Sequence, residues 1–174
     1  SSLGGSFTAN TKDKNSNTYR AGTVYHNAGN NVFIQNFYCT NGTFDSTMTW
    51  TVEMSGGVGY PTAHISLYKR STGTPTFDGE TGLNGVDGSH STWTLPSFTP
   101  AGDNEVSVAG GIMGNVFTAS LTSIADGAQS YTAVNYGVGG GVGYLIQTTG
   151  TAVAPVFTFS GADTHFAGVN IFFK

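Results

Sequence analysis

Between residues 47 and 54 the chain reads Thr-Met-Thr-Trp-Thr-Val-Glu-Met, large apolar side chains alternating with hydroxyls and one carboxylate. A period of two places Met48, Trp50, Val52 and Met54 on one face of a β-strand and Thr47, Thr49, Thr51 and Glu53 on the other, so one face packs and the other meets water. The same alternation recurs in residues 105–108, 116–121 and 156–159, and in 63–68, where Ala63, Ile65 and Leu67 oppose His64, Ser66 and Tyr68. Further strands are expected at 19–26, 32–39, 91–98, 131–136, 142–147 and 169–173, for a total of roughly ten to twelve short strands.

Helices are what this pattern excludes. An amphipathic helix needs a 3.6-residue period filled with Ala, Leu, Glu, Lys and similar residues, and the 174 residues hold six Leu, three Glu and four Lys. Turn signals separate the strand candidates: 27–31, Asn41-Gly42, Ser55-Gly56-Gly57, Asp78-Gly79, Asn84-Gly85, Asp87-Gly88, 100–104 and Asp126-Gly127. Short strands between such turns predict an all-β, two-sheet antiparallel sandwich, jelly-roll or Ig-like. Residues 8–17 are polar, include Lys12, Asp13 and Lys14, and lack alternation. They mark residues 1–22 as an extended N-terminal arm or edge segment, with 23–174 as a single sandwich domain. The ending Ile171-Phe172-Phe173-Lys174 would invite aggregation if it dangled in water, so the last strand belongs in a sheet.

Composition narrows the role. Only 9% of residues are charged, against about 25% in an ordinary soluble domain, so the surface must consist largely of Ser, Thr, Asn and Gly. An aromatic content of 13% argues against disorder. A net charge of −4 without a basic run offers no footprint for nucleic acid or an anionic membrane. Polar residues and glycines interrupt every apolar run before it could span a bilayer, so no membrane partner is expected either. Residues 1–6 carry no basic or apolar region of the signal-peptide kind. The single cysteine, Cys39, has no internal disulfide partner and reads as a small apolar side chain.

The residues that carry chemistry do not converge. His26, His64, His90 and His165 are scattered, with no metal-ligand spacing. Asp87-Gly88-Ser89-His90 has triad residue types without a nucleophile elbow and reads as a turn. Residues 78–87 offer oxygen ligands at alternating positions, as a calcium loop does, but the twelfth position is Ser89 rather than a bidentate Glu. The glycine run 137–143 lacks the Lys-Ser/Thr of a phosphate loop and suits a close backbone crossing. Glu53 and Glu105 are the carboxylates an enzyme reading would need. No catalytic residue, metal ligand or cofactor is expected, and the chain reads as non-enzymatic. Tyr60, Trp93 and Tyr136 are candidates for stacking on sugar rings, having a flat apolar face and a polar tip, although most such aromatics are expected to pack in the core or line its rim. Asn41-Gly42-Thr43 fits an N-glycosylation sequon and also an ordinary Asn/Thr turn.

Several segments resemble small β-sandwich proteins of tailed-bacteriophage virions: Tyr25-His26-Asn27-Ala28-Gly29-Asn30-Asn31-Val32-Phe33-Ile34, Met48-Thr49-Trp50-Thr51, Ser66-Leu67-Tyr68, Pro100-Ala101-Gly102-Asp103-Asn104, and the ending from Phe157 to Phe173. The resemblance implies a structural domain without an active site, used as a capsid decoration (cement) protein on the virion surface. Its partners would be the major capsid protein and copies of itself, as a homo-oligomer and specifically a trimer. Lys12, Lys14 and Arg20 of the arm would then contact an acidic shell. The alternative is a carbohydrate- or receptor-binding module of a phage fibre or a secreted, extracellular protein.

Overall fold

The computed structural model describes residues 8–27, 32–55, 63–68, 70, 72–85, 88–114, 119–135 and 139–174. Its strands in chain order are β1 (Thr8–Asp13), β2 (Arg20–Ala21), β3 (Tyr25–Asn27), β4 (Val32–Ile34), β5 (Phe37–Tyr38), β6 (Trp50–Ser55), β7 (Phe77–Gly85) and β8 (His90–Thr94). The second half adds β9 (Val106–Met113), β10 (Leu121–Asp126), β11 (Gln129–Ser130), β12 (Thr132–Asn135), β13 (Gly140–Ile146), β14 (Val156–Asp163) and β15 (Phe166–Phe173). These outnumber the ten to twelve expected because residues 19–26 and 32–39 each break into two short pairings and because β1, β7 and β11 fall where no strand was expected. The chain divides into two compact units, Ser1–Thr23 with Gln35–Pro75 and Val24–Ile34 with Thr76–Lys174. The sequence reading has instead an arm up to residue 22 and one domain after it.

In the first unit β1 lies antiparallel to β6, from Thr8 opposite Ser55 to Asp13 opposite Trp50, and β2 pairs with β5. The non-alternating stretch after β1 is held by side chains. Asp13 accepts from the amides of Asn15 (2.9 Å) and Asn17 (3.1 Å), from Asn17 Nδ2 (2.8 Å) and from the Tyr19 hydroxyl (2.5 Å). Trp50 Nε1 donates in turn to the Tyr19 oxygen at 2.8 Å. The side-chain amides of Asn15 and Asn17 both donate to the Thr43 carbonyl, tying 13–19 to 43–47. Residues 63–68, expected as a strand, have no regular secondary structure. Alternation assigns side chains to faces but supplies no neighbouring strand for the backbone to pair with.

The second unit is a two-sheet sandwich. One sheet has the order β12-β13-β9-β15-β7 and the other β11-β10-β14-β8. Antiparallel pairs nest from the outside inward, β7 with β15, β8 with β14, β9 with β13 and β10 with β11. Rolling one long hairpin in this way produces the jelly-roll connection, and it resolves the choice the sequence left open between jelly-roll and Ig-like. Phe166 occupies the centre of the core, stacked on Trp93 at 5.3 Å and tilted against Phe157 at 5.5 Å. Leu95, Ile124, Val153 and Phe172 fill the remaining space between the sheets. Burial of each such side chain contributes about 1.5–3 kcal/mol.

The sandwich also has a third, partial layer. The hairpin β3–β4 lies on the outer face of the five-stranded sheet, with the Tyr25 ring on Gly82 and Ile34 Cδ1 against Gly110. Strand β15 is therefore covered on both faces, Phe166 and Phe172 by the inner core and Val169 by the hairpin, which explains its near-continuous apolar sequence.

Residues 78–87, read from the sequence as a turn-rich calcium-type loop, belong mostly to β7, which pairs with β15 along its length. Rings account for its glycines. Phe98 lies over Gly79, Tyr25 over Gly82 and Trp93 over Gly85, each so close that a Cβ could not be accommodated. The turn expected at 100–104 is present, with Asn104 in the left-handed region that Asn tolerates (φ 59°).

Candidate functional site

Strands β7 and β8 are edge strands of the two sheets, and a shallow groove of about 340 Å³ opens between them. Leu83, Asn84 and Gly85 line one side, His90, Thr92, Trp93 and Thr94 the other. Alternation on β8 sends Trp93 inward while Thr92 and Thr94 face solvent. Trp93 is 6% exposed, stacked on Phe166 and seated on Gly85, with the His90 ring edge-on at 5.2 Å. Its ring thus belongs to the core, and what it offers the groove is an edge. The polar groups around that edge are the Asn84 amide, the two threonine hydroxyls and the His90 imidazole. Such a groove can exchange hydrogen bonds with a polar ligand.

The other stacking candidates, Tyr60 and Tyr136, lie outside the described residues. Of the three basic candidates, Lys12 pairs with Glu53 (Nζ to Oε1, 2.8 Å) and Lys14 Nζ donates to Thr47 Oγ1 at 2.5 Å. Arg20 is exposed on β2 opposite Tyr38. All three belong to the first unit, on or beside its paired strands. Glu53, a carboxylate of the enzyme reading, is engaged by Lys12 at the surface.

Glu105, the other such carboxylate, is fully buried immediately ahead of β9, beside Asp78 and the Gly102 backbone. Burial pushes its carboxyl above the usual range, and the negative charge of Asp78 adds to the effect. Lys174 acts in the opposite direction, its ammonium lying beside Gly102. Asp78 accepts from the Ala101 amide at 2.8 Å, so its role here is to hold the 100–104 turn. Asp163, also buried, accepts from the amides of Thr164 (2.6 Å) and His165 (3.2 Å) and closes the turn between β14 and β15. Among the described residues no cluster of three His, Cys, Asp or Glu side chains could hold a metal ion.

The sequence reading missed how charge is distributed. Five of the six Lys and Arg residues, Lys12, Lys14, Arg20, Lys69 and Arg70, belong to the first unit, together with Asp13, Asp45 and Glu53. The sandwich unit has Lys174 alone against the other seven acids, so the formal charges are +2 and −6. Counting charge by segment shows the asymmetry, but only once the unit boundaries are known. Comparison with known proteins finds no matching family model, curated protein or solved structure.

Proposed function

We propose that this chain is a non-enzymatic structural protein of a virion exterior, a decoration protein that binds the outside of a capsid shell and stabilises it. The observation that carries this reading is the separation of a basic unit from a nearly cation-free jelly roll. A protein held in a fixed assembly needs an adhesive surface, which the basic unit offers, and a Ser/Thr/Asn/Gly-rich surface poor in charge suits a chain fixed among neighbours. Lys14 and Arg20 are exposed on the basic unit. Shell contact through them adds interface free energy that must be overcome before the shell opens.

The test is co-sedimentation of the purified chain with capsid shells, followed by heat release. The Lys14→Glu/Arg20→Glu double variant should lose about tenfold or more in shell occupancy at low salt, each reversed contact costing about 1 kcal/mol or more. Unchanged occupancy would remove these residues from the account, and absence of wild-type binding would remove the decoration reading itself. The groove between β7 and β8 supports a second reading, a carbohydrate-binding module working through hydrogen bonds from Asn84, Thr92 and Thr94. A glycan array separates the two, since a decoration protein ignores glycans.

A further inference from the structure

Apart from Phe44, the large apolar side chains most exposed among the described residues gather in two places. The first is in the basic unit, where Ile65 (47% exposed), Leu67 (58%) and Tyr68 (39%) stand in a stretch without regular secondary structure, close to Arg70. The second is on the sandwich, on the half of the outer sheet face beyond the β3–β4 hairpin. There the register aligns Phe77, Phe173, Val106 and Ile146 in one row across β7, β15, β9 and β13. Phe77 and Ile146 are 38% and 62% exposed, and Phe77 meets Phe173 edge-on at 6.3 Å. Asp78 and Glu80 follow Phe77 on the same strand.

We propose that residues 65–68 of one copy dock on the Phe77–Phe173–Val106–Ile146 row of a second copy. Charge favours this occupant over an unrelated protein. The apolar segment sits on a unit of formal charge +2, and the apolar row on a unit of −6 with two acids on its border strand. Each chain thus carries a patch and its electrostatic complement, and both patches are apolar surface that solitary soluble proteins rarely expose together. Because the two patches differ, the contact is head-to-tail, and it yields either a closed ring or an open filament. It rests on the decoration reading only in extending the homo-oligomer that the sequence resemblance implies, and it needs no shell. A monomeric chain that still binds shells overturns this contact alone, whereas an oligomer that ignores shells overturns decoration alone.

Sedimentation velocity across a concentration series, with two variants, tests the contact. Leu67→Asp puts an acid where the acidic sandwich must be approached, and Ile146→Lys puts a cation where Arg70 must arrive. Wild type should oligomerise and each variant should be monomeric. An equimolar mixture of the two should form dimers and nothing larger, because one native pair of patches survives between them. A wild type monomeric at every concentration, a Leu67→Asp variant that associates like wild type, or a mixture that stays monomeric each overturns the proposal. Both side chains are exposed, so both variants should keep the wild-type melting temperature. If either does not, Tyr68→Asp or Phe77→Lys takes its place with the same required outcomes.

Discussion

At the scale of single residues, the glycines of β7 are best understood through the rings above them. Gly85 faces the Trp93 six-membered ring more closely than any real Cβ approaches an aromatic carbon, and Trp93 is itself held against Phe166. Gly85→Ala therefore forces the core to shift and should destabilise the sandwich by about 1–3 kcal/mol, read as a lowered denaturation midpoint. Gly127 lies in a turn at φ +55° with nothing near a would-be Cβ. Gly127→Asn should leave the midpoint almost unchanged, since Asn tolerates the left-handed region. If both substitutions behave alike, ring seating is not what selects glycine in β7. Asn84-Gly85 and Asp78-Gly79 look like turn signals in the sequence because the usual reason for glycine there is backbone freedom. Here the reason is a neighbouring side chain, and Phe98, Tyr25 and Trp93 come from three different places in the chain.

At the scale of elements, residues 24–34 show what a hairpin gains by lying on a sheet. With three residues in each strand, β3–β4 could not persist alone in water. Tyr25 anchors it over Gly82 in β7, and Asn27, itself buried, donates its side-chain amide to the Gly85 carbonyl. Tyr25→Ala should cost about 1–3 kcal/mol of buried apolar surface. Hydrogen exchange should then speed up at the β7 amides and stay unchanged at β13, which lies away from Tyr25 in the same sheet. Uniform acceleration across the sheet would mean that Tyr25 supports the whole unit and not its edge. The β6 alternation was legible because Trp50 and Val52 are half-buried while Thr51 and Glu53 are exposed, as a period of two requires. The equally regular 63–68 segment was misread, because alternation is a local property and strand pairing is not.

At the scale of the whole molecule, the two units should respond to acid with opposite signs. In the first unit, burial raises the Asp13 carboxyl, but hydrogen bonds from Tyr19, Asn17 and Asn15 outweigh it and hold the group below its usual range. Bonds from Thr47, then Asn15, hold Asp45 down as well. Their contribution is complete above the ordinary carboxylate pKa of about 4 and disappears as pH falls through the lowered folded values. Glu105 in the sandwich is raised, so its contribution is complete below the ordinary Glu value and is lost as pH rises through the folded one. Each unit has one tryptophan, Trp50 or Trp93, so fluorescence-monitored urea unfolding of Trp93→Phe reports the first unit and Trp50→Phe the sandwich. On acidification from pH 7 the sandwich midpoint should rise, and Glu105→Gln should abolish that rise. The first unit's midpoint should fall only below about pH 4. A sandwich midpoint that falls together with that of the first unit would contradict the Glu105 assignment.

Local pattern alone determined that this chain is all-β, sandwich-forming, and built from short strands between Gly-rich turns. Side-chain period and turn chemistry act over a few residues and need no partner to be read. Trp93 reads from the sequence as either a core ring or a ligand contact, and its seat against Phe166 and Gly85, which reach it only in the folded sandwich, places it in the core. Tertiary structure decided the jelly-roll order, the inclusion of 24–34 in the sandwich, the burial of Glu105 and the division into a basic and an acidic unit. Each of these depends on pairings such as Phe77 with Phe173, between residues so far apart in sequence that no local periodicity records them.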